Sequence, residues 1–173
     1  MRSFKNFFLV LVLFVSGTAV WYYYPESRLP KKQKIDFLRV SKSKREMIAY
    51  YKDFIVQRYK ISLGDSPIGH KKFEGDEKTP EGVYTIFNKN PNSGYFKNLG
   101  ISYPNSKDKS NAEKLGKPPG GDIKIHGLPN NQEYIGKFHR WKDWTNGCIA
   151  VTNEEMEELY NAVVIGSKIE ILP

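Results

Sequence analysis

The longest unbroken apolar stretch lies at the start of the chain. Phe7 to Tyr24 carries no charge, is interrupted only by Ser16, Gly17 and Thr18, and follows Arg2 and Lys5. The run Phe7–Val15 followed by Gly17-Thr18-Ala19 fits a cleaved signal peptide. The whole stretch, closed by Trp21-Tyr22-Tyr23-Tyr24, fits an uncleaved anchor with aromatic residues at the membrane interface. The aromatic cluster favours the anchor, so residues 1–24 are read as an anchor or signal segment. Arg28, Lys31, Lys32 and Lys34 outnumber the basic residues before the segment. Taken alone, that flank favours a cytoplasmic C-terminal domain. Residues 25–34 are polar, basic and proline-marked, and read as a linker.

From Ile35 the pattern becomes β-like. Ile35–Val40, Glu46–Tyr51 and Phe54–Leu63 are short runs rich in β-branched and aromatic residues, separated by polar turns. Val83–Asn88 follows the turn-forming Thr79-Pro80-Glu81-Gly82. Tyr95–Tyr103, Ile123–His126, Gly147–Val151 and Lys168–Leu172 are further strands, and Ser106–Leu115 is a short exposed helix or loop. Thr152 or Asn153 caps a last helix with acidic residues in its first turns, favourable for the helix dipole. Met156, Leu159, Tyr160 and Val163 form its single apolar stripe. Strands dominate, which predicts a β-rich α+β fold over residues 35–173, a sandwich or mixed sheet with a few short helices.

Length and charge narrow the function. The 173 residues suit one domain with a sizeable core. The net charge of +8 suggests nucleic acid only until it is divided along the chain. Residues 1–60 hold 13 Lys/Arg and 4 Asp/Glu, a net of +9, while residues 61–173 hold 14 and 15, a net of −1. The bulk of the domain is balanced, so no nucleic-acid partner is expected. One cysteine excludes an internal disulfide framework and a four-cysteine zinc site.

That cysteine, Cys148, sits in Thr145-Asn146-Gly147-Cys148, where glycine frees the backbone to aim amides at an oxyanion. A thiol becomes a competent nucleophile beside a base, and three histidines are available. His126 ends an apolar strand and precedes Gly127, which presents its ring at a strand terminus. His139 and His70 have weaker context, and His70, beside Lys71 and Lys72, reads as solvated. Trp141 and Trp144 flank Asp143 just before the cysteine. They are either aromatic walls of a substrate groove with an acid to meet an amine, or core packing with a surface acid. Glu154, Glu155, Glu157 and Glu158 read as the wet face of the last helix. A zinc peptidase using His126, His139 and Cys148 is a competing class, but separations of thirteen and nine residues match no compact zinc motif. A non-catalytic wall-binding module with a buried Cys148 is a third.

Ile125-His126-Gly127, then about twenty residues on Thr145-Asn146-Gly147-Cys148-Ile149-Ala150-Val151, resembles the signature of the L,D-transpeptidase catalytic domain, the YkuD-like family. Gly75-Asp76-Glu77-Lys78-Thr79-Pro80-Glu81-Gly82 resembles a second landmark of that family, and the opening strands ending in Leu63-Gly64 fit its beginning. The resemblance implies an L,D-transpeptidase-like fold and a Cys148 nucleophile. His126 would be the general base, oriented by the Gly127 carbonyl. Amides around Gly147 and Cys148, beside Asn146, would form the oxyanion hole. It implies peptidoglycan stem peptides as substrate, no cofactor and no metal, a monomer, and export to the outer face of the cytoplasmic membrane. Asn146 stands where the family usually has a second histidine, and Ala150 where it has an arginine. Both departures make the motif closest to the YafK-like branch, which implies editing or hydrolysis as the alternative to cross-linking.

Overall fold

The computed structural model describes residues 2–173. The apolar N-terminus forms α1 (Arg2–Tyr23), whose stretch Phe4–Tyr23 is long and apolar enough to cross a membrane and has no fully buried residue, touching the domain only near its C-terminal end. The sheet then begins at Ile35. Its strands are β1 (Ile35–Ser41), β2 (Glu46–Tyr51), β3 (Phe54–Lys60), β4 (Gly82–Ser93), β5 (Phe96–Ile101), β6 (Lys124–His126), β7 (Ile149–Ala150) and β8 (Val163–Leu172). Two helices, α2 (Ser106–Lys114) and α3 (Asn153–Ala162), and a kinked 3₁₀ segment, Glu133–Trp141, complete the chain.

The alternation that marks the strands also says which face they bury. Ile35, Leu38 and Val40 of β1, Met47 and Ala49 of β2, and Ile169 and Ile171 of β8 all enter one core. The strand order is β3-β2-β1-β8-β4-β5-β6-β7. The last strand is therefore inserted in the middle, parallel to β1 and antiparallel to β4. Most pairs are antiparallel, but β6 and β7 run parallel. The two ends of the sheet meet. Ser62, just beyond β3, exchanges backbone hydrogen bonds with Ala150 of β7, at 3.0 and 2.9 Å. The result is a mixed sheet that curls over its own core, in accord with the predicted β-rich α+β class.

Several local readings are corrected. The run Phe54–Leu63 is not one strand, because β3 ends at Lys60 and the chain crosses to the other sheet edge. Only Ile149 and Ala150 of the run Gly147–Val151 are strand. Thr152 caps α3 through a capping box with Glu155, and Met156, Leu159 and Ala162 carry its buried face, while Val163 already belongs to β8. Glu155 does not face water: Arg140 meets its carboxylate at 2.9 Å, and burial outweighs that cation to hold its carboxyl above the usual range. His70 is not simply solvated either. Its Nδ1 accepts the Glu81 N–H at 3.0 Å and its Nε2 lies 3.2 Å from Asp108.

Residues 25–34 lie along the domain. Gln57 Nε2 donates to the Ser27 carbonyl at 2.7 Å, and Leu29 packs against the core. A cavity of about 720 Å³ separates this segment from β3 and α3; it lies among Glu26, Arg58, Lys137 and Glu154, with neither Cys148 nor His126 in its lining.

Candidate active site

Three landmarks far apart in sequence meet under Cys148. Gly64, Gly147 and the Glu77–Thr79 backbone are packed so closely that side chains have no room. A Cβ on Gly64 would collide with the Glu77 carbonyl and lie 3.0 Å from the Gly147 Cα. A Cβ on Gly147 would lie 2.6 Å from the Lys78 carbonyl, and its φ of +124° is itself glycine territory. Thr79 Oγ1 accepts the Gly64 N–H at 3.0 Å, which ties the Thr-Pro-Glu-Gly turn to the cysteine loop. Thr145 shapes that loop from within. Its hydroxyl donates to the Cys148 carbonyl at 2.7 Å and accepts the Gly147 N–H at 3.2 Å.

His126 ends β6, and Cys148 immediately precedes β7, the strand that runs parallel beside it. Ile125 pairs with Ile149 and His126 with Ala150. Ile125 and Ile149 point into the core. Strand alternation therefore puts His126, Ala150 and the preceding Cys148 on the opposite face, the one shared with Lys124. His126 Nδ1 lies 2.7 Å from the Gly127 carbonyl. A carbonyl can only accept, so the proton sits on Nδ1 and Nε2 is left bare. Gly127 is itself confined: its N–H donates to the Tyr95 carbonyl at 3.1 Å, and a Cβ would lie 2.6 Å from Asn153 Oδ1.

Burial sets the charge states. The His126 ring, 5% exposed, is pulled down to a pKa of about 4, mainly because a buried imidazolium loses its water; the Gly127 carbonyl opposes this. Burial pushes the Cys148 thiol above its usual value, opposed by the Lys124 N–H and ammonium. At neutral pH the pair is thus an uncharged imidazole and an uncharged thiol. The thiol donates to the Asp122 carbonyl at 3.7 Å.

The remaining sequence candidates separate into two groups. Trp144 belongs to the site: its ring lies 5.6 Å from that of His126, edge to face. Tyr95, which sequence reasoning missed, lies 4.7 Å from the same ring and closes the aromatic wall. Trp141 does not reach the site; it is 65% exposed and packs on Trp21 of α1 and on Phe138. Asp143 is also corrected. Its carboxylate accepts from Arg45 Nη2 at 2.7 Å and Nε at 3.0 Å, and from the Leu63 N–H at 2.9 Å, so it clamps the entry to the loop and has no free face for an amine. Asn146 is exposed. The Gly147 N–H is held by Thr145, so of the Gly147 and Cys148 amides that of Cys148 is the one without a protein acceptor among the described residues.

His139 lies elsewhere, with Nδ1 3.2 Å from Ser62 Oγ and a buried, unpartnered Nε2. The described residues hold no converging group of three His, Cys, Asp or Glu side chains, and the zinc arrangement of His126, His139 and Cys148 is not assembled. Lys124 was also missed by sequence reasoning. The signal was present: it precedes His126 by two residues on a strand, which puts both on one face.

A tautomer-fixed histidine ending one strand and a cysteine at the entry of the parallel strand beside it, in a curled mixed sheet, are the features that bear on the class of this domain. The chain belongs to the YkuD family of L,D-transpeptidase catalytic domains, which it matches over residues 35–171. YafK of Escherichia coli strain K12, whose name places it among the L,D-transpeptidases, is 27% identical over 134 residues, covering 73% of this chain and 46% of YafK. The helical cell shape determining protein Pgp2 of Campylobacter jejuni superposes with a TM-score of 0.59 at 28% identity, over 81% of this chain and 48% of Pgp2. An Enterococcus faecium L,D-transpeptidase shares the fold at 16% identity and a TM-score of 0.53, over 81% of this chain and 50% of its own. The chain spans about half the length of these relatives.

Proposed function

We propose that this chain is a cysteine-dependent L,D-transpeptidase acting on peptidoglycan stem peptides, held by α1 at the outer face of the cytoplasmic membrane. The observation that carries the reading is the 2.7 Å bond from His126 Nδ1 to the Gly127 carbonyl, which leaves a bare Nε2 on the face it shares with Cys148. The substrate lies outside the membrane, and that is the ground for an exported domain against the basic flank Arg28–Lys34. The likeness to Pgp2, a helical cell shape determining protein, extends the proposal to wall remodelling that affects shape.

The resting pair is neutral, so proton transfer accompanies attack. The thiol leaves the Asp122 carbonyl and turns to His126 Nε2, which takes its proton as sulfur bonds to the carbonyl carbon of the third, diamino-acid residue. The Cys148 N–H receives the developing oxyanion. The C–N bond then breaks, imidazolium protonates the departing D-alanine, and a thioester remains. An acceptor amine or water, deprotonated by His126, attacks the thioester and returns the thiol.

Water is the second reading for that last step. Ala150 is fully buried and bonded on both backbone groups to Ser62, so the position where the family has arginine offers no cation to hold a charged acceptor strand. Incubating the protein with a carbapenem should add the drug's mass at Cys148 and leave Cys148→Ala unmodified. Digesting sacculi and separating the muropeptides then tells cross-links from trimmed stems. Turnover retained by Cys148→Ala would overturn the nucleophile assignment.

A further inference from the structure

The far end of α1 is clasped to the domain. Tyr22 stacks on Phe138 with ring centroids 4.9 Å apart, and its hydroxyl donates to the Tyr134 carbonyl at 2.9 Å. Gly136 makes that approach possible, since a Cβ there would lie 2.5 Å from the Tyr22 hydroxyl. Lys137 Nζ donates to the Tyr24 carbonyl at 2.6 Å, which places a cation at the negative end of the α1 dipole. Just beyond, Arg140 grips the Glu26 carboxylate with both terminal nitrogens, at 2.7 and 2.9 Å, and also holds Glu155 of α3. A bidentate arginine bridging two carboxylates is a stiffer joint than an isolated exposed pair.

This clasp brings the 3₁₀ segment to the level of the last turn of α1. Trp21 lies 5.7 Å from Phe138 and 5.9 Å from Trp141, ring to ring. Around these contacts large aromatic surfaces remain open: Trp141 is 65% exposed and Tyr134 75%. Trp and Tyr are the side chains that settle between headgroups and acyl chains, where one end of the ring is dry and the other wet. If α1 crosses the bilayer, its closing aromatics Trp21–Tyr24 mark the interface, and the open faces of Tyr134 and Trp141 continue that same layer.

We propose that the Glu133–Trp141 segment is a second membrane contact, with Tyr134 and Trp141 seated in the interfacial layer of the bilayer that α1 crosses. The inference rests on the reading of α1 as an anchor. The domain then rides on the lipid surface in one orientation, with its site at a set height, instead of swinging on a ten-residue tether. The 3₁₀ segment runs through Asp143 and Trp144 directly into the cysteine loop, so the orientation imposed at the membrane is also that of the cleft.

The three tryptophans, Trp21, Trp141 and Trp144, make the test direct. The full chain carrying Trp21→Phe and Trp144→Phe reports on Trp141 alone, and Trp141→Phe with Trp144→Phe reports on Trp21. Each is placed in phosphatidylcholine nanodiscs with lipid brominated in the upper acyl chain, and emission is compared with that in unbrominated lipid. Trp21 and Trp141 should both lose most of their emission. Quenching of Trp21 with unchanged Trp141 would overturn the second contact while leaving the anchor intact. If neither is quenched, the anchor reading fails and this inference with it. If Trp144→Phe does not fold, Trp141→Phe alone should lower the quenchable fraction relative to the unmodified chain, and no change would overturn the proposal.

Discussion

The β6–β7 end of the sheet and the 3₁₀ segment each bury a histidine, and the two make opposite use of it. Burial draws both below the ordinary imidazole range, His126 to about 4 and His139 to about 3. Yet His126 has one nitrogen fixed by the Gly127 carbonyl, and its other nitrogen lies on the face shared with Cys148, the proposed nucleophile. His139 has one nitrogen against Ser62, while the other is enclosed and unpartnered. A depressed pKa therefore marks burial at both places, and the proposed chemistry falls at only one. What separates them is an open nitrogen beside a group that can react.

The sharpest way to break this comparison is kinetic. His126→Ala should lower turnover of a stem peptide ~10²–10⁴-fold, the usual loss for a general base, while His139→Gln leaves kcat close to that of the unmodified chain. The opposite ranking, measured on a synthetic stem tetrapeptide, would move the base to the 3₁₀ segment. Cys148→Ser should be at least as damaging as the loss of His126, because a serine hydroxyl is a far poorer nucleophile beside a neutral imidazole.

Next in size is acid sensitivity, where the two histidines should act alike. Each binds its proton more weakly folded than unfolded, so the unfolded chain takes up more protons as pH falls. The stability that neutral His126 and His139 contribute is complete above about pH 6.5 and is lost progressively toward pH 4 and 3. Within that window each histidine removes about 1.4 kcal/mol per pH unit. Thermal unfolding of the full chain in detergent, followed by near-ultraviolet circular dichroism from pH 7 to pH 4, reads the slope. A flat profile in His126→Gln and a steep one in His139→Gln would show that only His126 is held neutral by the fold.

Asp143 tests whether the boundary between site and scaffold is drawn correctly. Asp143→Ala leaves the Leu63 N–H and Arg45 without their acceptor, which should cost ~1–3 kcal/mol of stability with KM unchanged. A raised KM at unaltered melting temperature would return Asp143 to the substrate. The smallest effect is expected at Lys124, whose half-exposed ammonium favours the thiolate across partial solvent. Lys124→Gln should slow iodoacetamide modification of Cys148 at pH 8 by a few-fold at low salt, with the difference shrinking as salt is added.

The chain itself determined whatever a local backbone can express. The charge-free run Phe7–Tyr24 made α1, the two-residue alternation of β1, β2 and β8 chose the core face, and Thr152 with Glu155 started α3. His126-Gly127 and Gly147-Cys148 also carried their local geometry within a residue or two, since a ring bonded to the next carbonyl and a positive φ before a thiol are near-neighbour features. The 3₁₀ segment had no period to reveal it. Whether Asp143 faced substrate or Arg45, and whether Trp141 lined the groove or touched α1, depended on residues more than ninety positions away. Glu155 looked solvated for the same reason, until Arg140 arrived from another element. Such partners are brought together by strand register and sheet curl, which bring Ser62 against Ala150 and Gly64 against Gly147. Hydrophobic periodicity specifies which face of an element is buried, but not what it is buried against, and that second choice was made only when the curled sheet closed.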